Sequence, residues 1–292
     1  MNKKIGVVIL SYRNIDDTIE CIKSIRNCKS EKARIEIYLI DNSEDRSYIE
    51  SILKAVEVDY SFTTRNDGYA KGNNVGIKNA LHNGCNYIIV LNNDTIVEDD
   101  FVDPLIEALE SDKSIALAAP LIISFYNNTV WSSGGKYRRL LCDFVMSSKP
   151  ISEDTEAEFI TGCCFAIKAE TIKKIGLLSE KYFMYSEDAD YCYRILKSGY
   201  KNKVIKNSKI YHKVSNSSGI ESPFQMYYIH RNRILFANEC YSGIHKVYAI
   251  SINILKALYW IVRLKAKGNN EGAKAVEYAI NDALKRTGRY RY

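Results

Sequence analysis

Residues 87–95 read Tyr-Ile-Ile-Val-Leu-Asn-Asn-Asp-Thr. A run of β-formers, Tyr87 to Leu91, stops abruptly at Asn92, Asn93 and Asp94. An apolar run of this length closed by polar residues reads as a buried strand of a parallel sheet. In open α/β sheets ligands bind beyond the carboxyl ends of the strands. On this reading Asp94 is a carboxylate at the rim of a crevice, where hard oxygen ligands suit Mg²⁺ or Mn²⁺ shared with substrate phosphates. The same four polar residues also suit a turn leading into a helix N-cap. The stretch alone does not separate the two.

Outward from this strand, apolar strands alternate with amphipathic helices. Residues 5–10, 35–40 and 56–63 read as strands, and 15–28, 45–55 and the segment ending near 83 as helices. Alternation of this kind is the signature of a doubly wound parallel sheet. Polar residues follow three of the strands: Ser11 to Asn14, Asp41 to Ser43, and Asn92 to Asp94. There is no GxGxxG after the first strand and no P-loop, which argues against a dinucleotide site. Between strands three and four lies a Gly/Asn-rich turn, residues 66–76, in which Gly68, Gly72 and Gly76 allow close backbone approach and Asn73 and Asn74 offer amides. A helix starting there would turn free N–H groups toward a phosphate. A tight loop with a helix N-cap is the plainer reading of the turn taken by itself.

The second half is expected to hold a helix at 99–111 and a strand at 115–119. A β-excursion over 120–150 would bring Trp131, Gly134 and Gly135 near an acceptor. A strand at 159–168 is interrupted by Gly162, a sign of a bulge or of close packing. A short helix, 169–175, follows. Ser186 is placed as the N-cap of a helix from Glu187 to about 198, with Tyr191, Ile195 and Leu196 inward and Gly199 as the stop. Glu187, Asp188 and Asp190 cannot all point one way. One of them can face the crevice as a base; all three also complement a helix N-terminal dipole. A strand at 203–211 ends in His212, ahead of the polar SNSSG of 215–219. Helices are expected at 225–239, 246–264 and 271–286.

Hydrophobic content of 46% and charged content of 26% are those of an ordinary globular protein. The eight cysteines contain no CxxC pair, so a zinc or redox motif is not indicated. The N-terminus enters a strand directly, and the expectation is a cytoplasmic protein with reduced thiols. Net charge is +6, and residues 243–292 hold ten Lys/Arg against three acids, leaving the preceding body close to neutral. Within 246–264, Val247, Ile250, Ile254, Leu258 and Ile261 recur at helical spacing, broken by Asn253, Lys256 and Arg263, which favours an amphipathic helix over a membrane span. The basic apolar segment fits peripheral contact with the inner face of the plasma membrane. It also fits a helical layer on the catalytic body or a homodimer contact. No nucleic-acid-binding motif is present.

Taken together, these stretches resemble family 2 glycosyltransferases of the GT-A fold, in particular the rhamnosyltransferase-like branch, over roughly residues 4–240. Carrying the resemblance are VVILSYRN, the Asp41 of LIDNS, and the loop from Asn66 to Gly76, in which Lys71 stands where Gly is common. So do Asn92-Asn93-Asp94 in place of a DxD motif, Thr161-Gly162, Glu187-Asp188, His212 and Arg231-Asn232. The resemblance implies a GT-A α/β mixed sheet flanked by helices, with a catalytic domain over 1–220 and a basic helical extension over 221–292. It implies inverting, metal-dependent transfer from a UDP- or dTDP-sugar to a hydroxyl of a glycan or lipid-diphosphate-linked acceptor, in cell-surface polysaccharide synthesis. In that reading Asp188 is the base, and Asp94 and His212 hold Mg²⁺ or Mn²⁺. Ser11, Arg13, Asp41, Asn66, Gly68, Asn73 and Asn92 bind the donor. Glu187, Asp190, Trp131 and Arg231 meet the acceptor. The chemistry fits: the leaving diphosphate needs positive charge, and the attacking hydroxyl needs a base. The alternative is a nucleotide-sugar-binding or nucleotidyltransferase-like protein, which would normally carry a basic Gly-rich loop where SYRN stands.

Overall fold

A computed structural model describes residues 3–63, 65–213, 219 and 221–285. Most of the SNSSG segment and the basic end RTGRYRY lie outside the described residues. The first half alternates as its pattern predicts: β1 (Lys3–Ser11), α1 (Ile15–Asn27), β2 (Ala33–Asp41), α2 (Ser47–Ala55), β3 (Asp59–Phe62), α3 (Tyr69–His82) and β4 (Tyr87–Asn92). The chain continues through β5 (Thr95–Val97), α4 (Val102–Ser111), β6 (Ile115–Ser124), β7 (Val130–Ser132), β8 (Gly135–Arg138) and β9 (Asp143–Met146). After these come β10 (Thr155–Ala157), β11 (Cys164–Lys168), α5 (Ala169–Ile175), α6 (Glu187–Lys197) and β12 (Lys201–His212). Three helices close the chain: α7 (Pro223–Cys240), α8 (Gly243–Ala266) and α9 (Asn270–Lys285).

The main sheet runs β10-β12-β6-β11-β4-β1-β2-β3. Strands β3, β2, β1 and β4 are parallel neighbours, as alternation demands. Beyond β4 the sheet is mixed, as the family resemblance implies: β11 pairs antiparallel with both β4 and β6. The alternating pleat of β1 explains its unbroken apolar run. Ile5, Val7 and Ile9 face the core shared with α1, α2 and α4, while Val8 faces the core shared with α3 and α6. Helix α3 lies very close to β1, because a side chain at Gly76 would come within 2.4 Å of Val8. The glycines of this helix thus serve helix–sheet packing, since a side chain at Gly72 would meet Leu10 in the same way.

Two departures from the sequence expectation have clear physical reasons. The returning strand begins at Cys164, because the amides before it are drawn out of the ladder: Ile160 N–H donates to Cys192 Sγ and Gly162 N–H to Asp188. In α8 the buried stripe is Ala249, Asn253, Ala257, Ile261 and Leu264. Val247 and Leu258, which belong to the apolar residues recurring at helical spacing, are exposed. Small residues such as Ala249 and Ala257 let α8 approach its neighbours closely, and the bulky apolar residues turn outward. Among the described residues α8 is also the one helix long and apolar enough to cross a bilayer, with a mean hydropathy of 1.4 in its most apolar window.

Candidate active site

The candidate metal edge is built by a long-range strand exchange. After the turn at Asn93-Asp94 the chain leaves β4, and β5 pairs antiparallel with β12, setting Thr95 opposite His212. Lys213 N–H donates to Asp94 O at 2.9 Å, and Asn93 Nδ2 donates to Thr18 Oγ1 at 2.9 Å, fixing the turn. His212 Nε2 then lies 3.2 Å from Asp94 Oδ1, with both side chains buried. His212 Nδ1 is buried without a hydrogen-bond partner among the described residues. A carboxylate and an imidazole so placed fit a divalent cation that takes its other ligands from phosphates and water. No cluster of three metal-ligating side chains occurs among the described residues. Trp131, expected near the acceptor, instead packs edge-on against His212, with centroids 4.5 Å apart. Lys213 binds Asp17 and Glu20, tying the end of β12 to α1.

The candidate base edge, which carries Asp188, is one residue away from this candidate metal edge. Asn92 N–H donates to Cys163 O at 2.9 Å, and the preceding residue, Gly162, donates its N–H to Asp188 Oδ2 at 3.2 Å. Asp188 Oδ1 accepts from Ala189 N–H at 2.8 Å. Burial raises the Asp188 carboxyl above its ordinary range, and the two backbone donors oppose the rise. Glu187 is only 5% exposed, and burial, with the neighbouring Asp188 charge, lifts it well above its ordinary value. Its Oε2 has no hydrogen-bond partner among the described residues. Asp190 does not share the crevice: Arg194 Nε binds its Oδ2 at 2.7 Å, and it faces Cys240. Ser186 adopts φ +75° and makes no side-chain cap, so it turns the chain rather than capping α6 as expected.

Arg231 is not an exposed acceptor contact either. It is 4% exposed and donates to Asn232 Oδ1 at 2.8 Å. Asn232 in turn donates to the carbonyls of Met184 and Tyr185, at 2.8 and 2.9 Å. The pair therefore clamps the left-handed turn that aims Glu187 and Asp188.

At the donor end, Asp41 is 2% exposed, and its two oxygens accept from Ser43 N–H at 2.9 Å and Ser43 Oγ at 2.8 Å. Asn42, unassigned from the sequence, is the brace between β2 and the Gly/Asn turn: it donates to Asn66 Oδ1 at 2.8 Å and accepts from Thr63 Oγ1 at 2.8 Å. Asn66 also accepts from Gly68 N–H at 3.0 Å, so it shapes the turn. Gly68 has φ +86°. The following Tyr69 N–H, expected to be free for phosphate, is taken by Phe183 O at 2.8 Å. Asn73 is a correction as well: it is 1% exposed and donates back to Tyr69 O at 3.0 Å, inside the helix. Asn74 braces Leu178 and Glu180. Ser11 is buried against Thr18 at 3.0 Å, whereas Arg13 is exposed, with φ +56° and its guanidinium over the Tyr12 ring. Tyr69, unassigned from the sequence, donates its hydroxyl to Gly162 O and so joins the turn to the segment that holds Asp188.

Beside Glu187 and Asp188 opens a cavity of about 210 Å³, also lined by Asp143, Phe144, Phe159, Tyr185, Arg233 and Phe236. A larger hollow of about 630 Å³, bordered by Lys3, Glu110 and Lys168, lies at the amino ends of β1 and β4, the wrong end for a crevice of this fold.

Residues 6–176 match the family model of glycosyl transferase family 2. The chain belongs to that family. It is 23% identical to the low-salt glycan biosynthesis hexosyltransferase Agl10 of Haloferax volcanii, across 98% of this chain and 92% of that one. It is also 23% identical to the dTDP-rhamnosyl transferase RfbF of Shigella flexneri, across 80% of each chain. Among solved structures it superposes on the mannosyltransferase PcManGT of Pyrobaculum calidifontis in complex with GDP-Man and Mn²⁺, with a TM-score of 0.61 at 11% identity, covering 99% of this chain and 89% of that one. The fold is GT-A. The protein is a rhamnosyltransferase-like family 2 glycosyltransferase that uses a nucleotide sugar in glycan synthesis. The nucleotidyltransferase-like alternative is not favoured.

Proposed function

We propose that this enzyme is an inverting, metal-dependent transferase that moves a sugar from a UDP- or dTDP-sugar to a hydroxyl of a glycan or lipid-linked acceptor in cell-surface polysaccharide synthesis. The observation that carries the reading is the adjacency of the two edges. Cys163 accepts from Asn92 at the metal edge while Gly162 donates to Asp188. Asp94 and His212 would hold Mg²⁺ or Mn²⁺, which supplies positive charge to the leaving diphosphate. Asp188, on a backbone-anchored carboxylate with a raised pKa, takes the proton of the attacking hydroxyl. A single base suffices for direct displacement with inversion. A retaining hydrolase would need a second carboxylate about 5 Å away across the bond. Asp190, turned to Arg194, does not supply it. Asp41 reads the base or ribose, provided Ser43 yields its hydrogen bonds. Residues 1–220 form the catalytic part, and 221–292 an extension whose Asn232 positions the base. A panel of UDP- and dTDP-sugars with Mn²⁺, read by nucleotide release, tests the assignment. Release with no donor in the panel would overturn it.

A specific feature of α8 favours peripheral membrane contact on the cytoplasmic side. Opposite its buried stripe, Ile244, Tyr248, Leu255, Leu258, Tyr259 and Val262 are 46–75% exposed on one face. The helix carries Lys246, Lys256, Arg263 and Lys265 and no acid. An apolar stripe flanked by cations suits a helix lying in an anionic lipid surface. Its packing through Ala249, Ala257 and Leu264 is kept in that orientation and lost in a spanning one. Salt-sensitive flotation with anionic vesicles, lost in Leu255→Glu/Val262→Glu, is the expected result. A dimer in solution with no flotation would give the stripe to a second copy instead.

A further inference from the structure

The cavity beside Asp188 is lined by Glu187 and Asp188, by the rings of Phe144, Phe159 and Phe236, and by a third carboxylate, Asp143. Asp143 is already matched. Arg138 binds its two oxygens bidentately, at 2.8 Å each, and Lys256 Nζ binds Oδ2 at 2.8 Å. A third cation, Arg233, lines the same cavity. It makes no hydrogen bond and no ion pair with any described residue. Its guanidinium is half-buried, and burial lowers its pKa, with Asp143 opposing and Arg138 adding to the effect. Lys256 is lowered as well, first by burial and partly by Arg233 and Arg138. Three cations therefore surround Asp143, and of the three only Arg233, without an ion-pair partner among the described residues, lines this partly apolar cavity. A half-buried guanidinium with its donors unused is costly unless an anion completes it, and its planar fork matches phosphate oxygens.

We infer that Arg233 is the centre of an anion subsite that binds a phosphate group of the acceptor, holding the acceptor hydroxyl against Asp188. This rests on Asp188 being the base of the proposed transfer. The phosphate can belong to a lipid-linked acceptor or to a soluble phosphorylated sugar. Lys256 connects the subsite to α8, whose outer face carries the exposed apolar stripe, and this geometry favours the lipid-linked source.

The test is calorimetric binding of inorganic phosphate and of decyl phosphate below its micellar concentration, in EDTA so that no metal-held anion site competes. Wild-type enzyme should bind both, decyl phosphate the more tightly. Arg233→Ala should weaken both by about tenfold or more, and Arg233→Lys by less, because a point charge survives without the fork. Folding of each variant is checked by Mn²⁺-dependent UDP binding, which should be unchanged. Equal wild-type affinity for the two probes keeps the subsite and assigns it to a soluble phosphorylated sugar. Arg233→Ala binding phosphate as wild type does, or wild type binding neither probe, overturns the subsite. Because no transfer is measured, failure of Asp188 as base would leave this result standing and is told apart from it.

Discussion

Gly162 donates its N–H to Asp188 Oδ2 across 3.2 Å, while its own carbonyl accepts from the Tyr69 hydroxyl. One peptide thus fixes the proposed base and ties it to the Gly/Asn turn. Asp188→Asn keeps the shape and an acceptor oxygen but cannot take a proton. Transfer should fall by at least about a hundredfold, with donor affinity nearly unchanged. Because burial raises the carboxyl, and the base acts ionised, wild-type kcat should rise with pH through that raised value. Initial rates and donor binding of the variant check both. Turnover near wild type would remove Asp188 from the mechanism.

The Asp94–His212 contact at 3.2 Å leads to a second expectation. Two protein ligands make an affinity that depends on the donor's phosphates. EDTA should abolish transfer, and nucleotide should tighten Mn²⁺ binding. His212→Ala should weaken Mn²⁺ by about tenfold or more while leaving the fold intact, because Trp131 and the β5–β12 pairing remain. Mn²⁺ titrations with and without UDP measure this. Metal affinity unchanged in both His212→Ala and Asp94→Asn would place the ion elsewhere.

Gly68 predicts a stability effect rather than a catalytic one. It has φ +86° and ψ −179°, a region open almost only to glycine, and a Cβ there would stand 2.2 Å from Phe183 O. Gly68→Ala should cost about 2–3 kcal/mol or more. It should also loosen the Tyr69–Phe183 contact that holds the base edge. Urea unfolding reads the first effect. An unchanged midpoint would mean that the turn relaxes freely.

The parallel half of the sheet was legible because each buried strand carries its own apolar run and its own polar end. Strand β11 was not, since the period of a strand does not record its direction, and only pairing with β4 and β6 reverses it. That Asp94 and His212 stand at strand ends could be read from the sequence, while the choice of Asp188 among three neighbouring acids came only with the family resemblance. The partners of these three residues could not be read from the sequence. Asp190 and Asp188 sit in the same turn of sequence, yet Arg194 claims one and Gly162 the other. Arg231 is expected to meet the acceptor, whereas it is buried and bonded to Asn232, which spends both its donors on carbonyls 47 and 48 residues away. Only Asn42, inside the quoted LIDNS, offered a signal that was passed over: an amide next to a strand-end acid suits a brace between loops.

His230 yields a pH dependence of stability with a definite sign. It lies on α7, 2% exposed, and burial, aided by Arg233, lowers its pKa from 6.5 to about 3. The unfolded chain takes up a proton below about 6.5 and the folded chain does not until about 3, so stability falls as pH drops through that window. The loss is at most about 1.4 kcal/mol per pH unit. Glu187 works the other way. Its folded pKa is raised, so it favours folding as pH falls through that value toward 4.5, and wild-type data alone would mix the two. Comparing wild type with His230→Phe separates them. Between about pH 7 and about pH 5, wild type should lose about 2 kcal/mol more than the variant in urea unfolding. Parallel losses in the two proteins would mean that His230 titrates normally and that α7 opens to solvent around it.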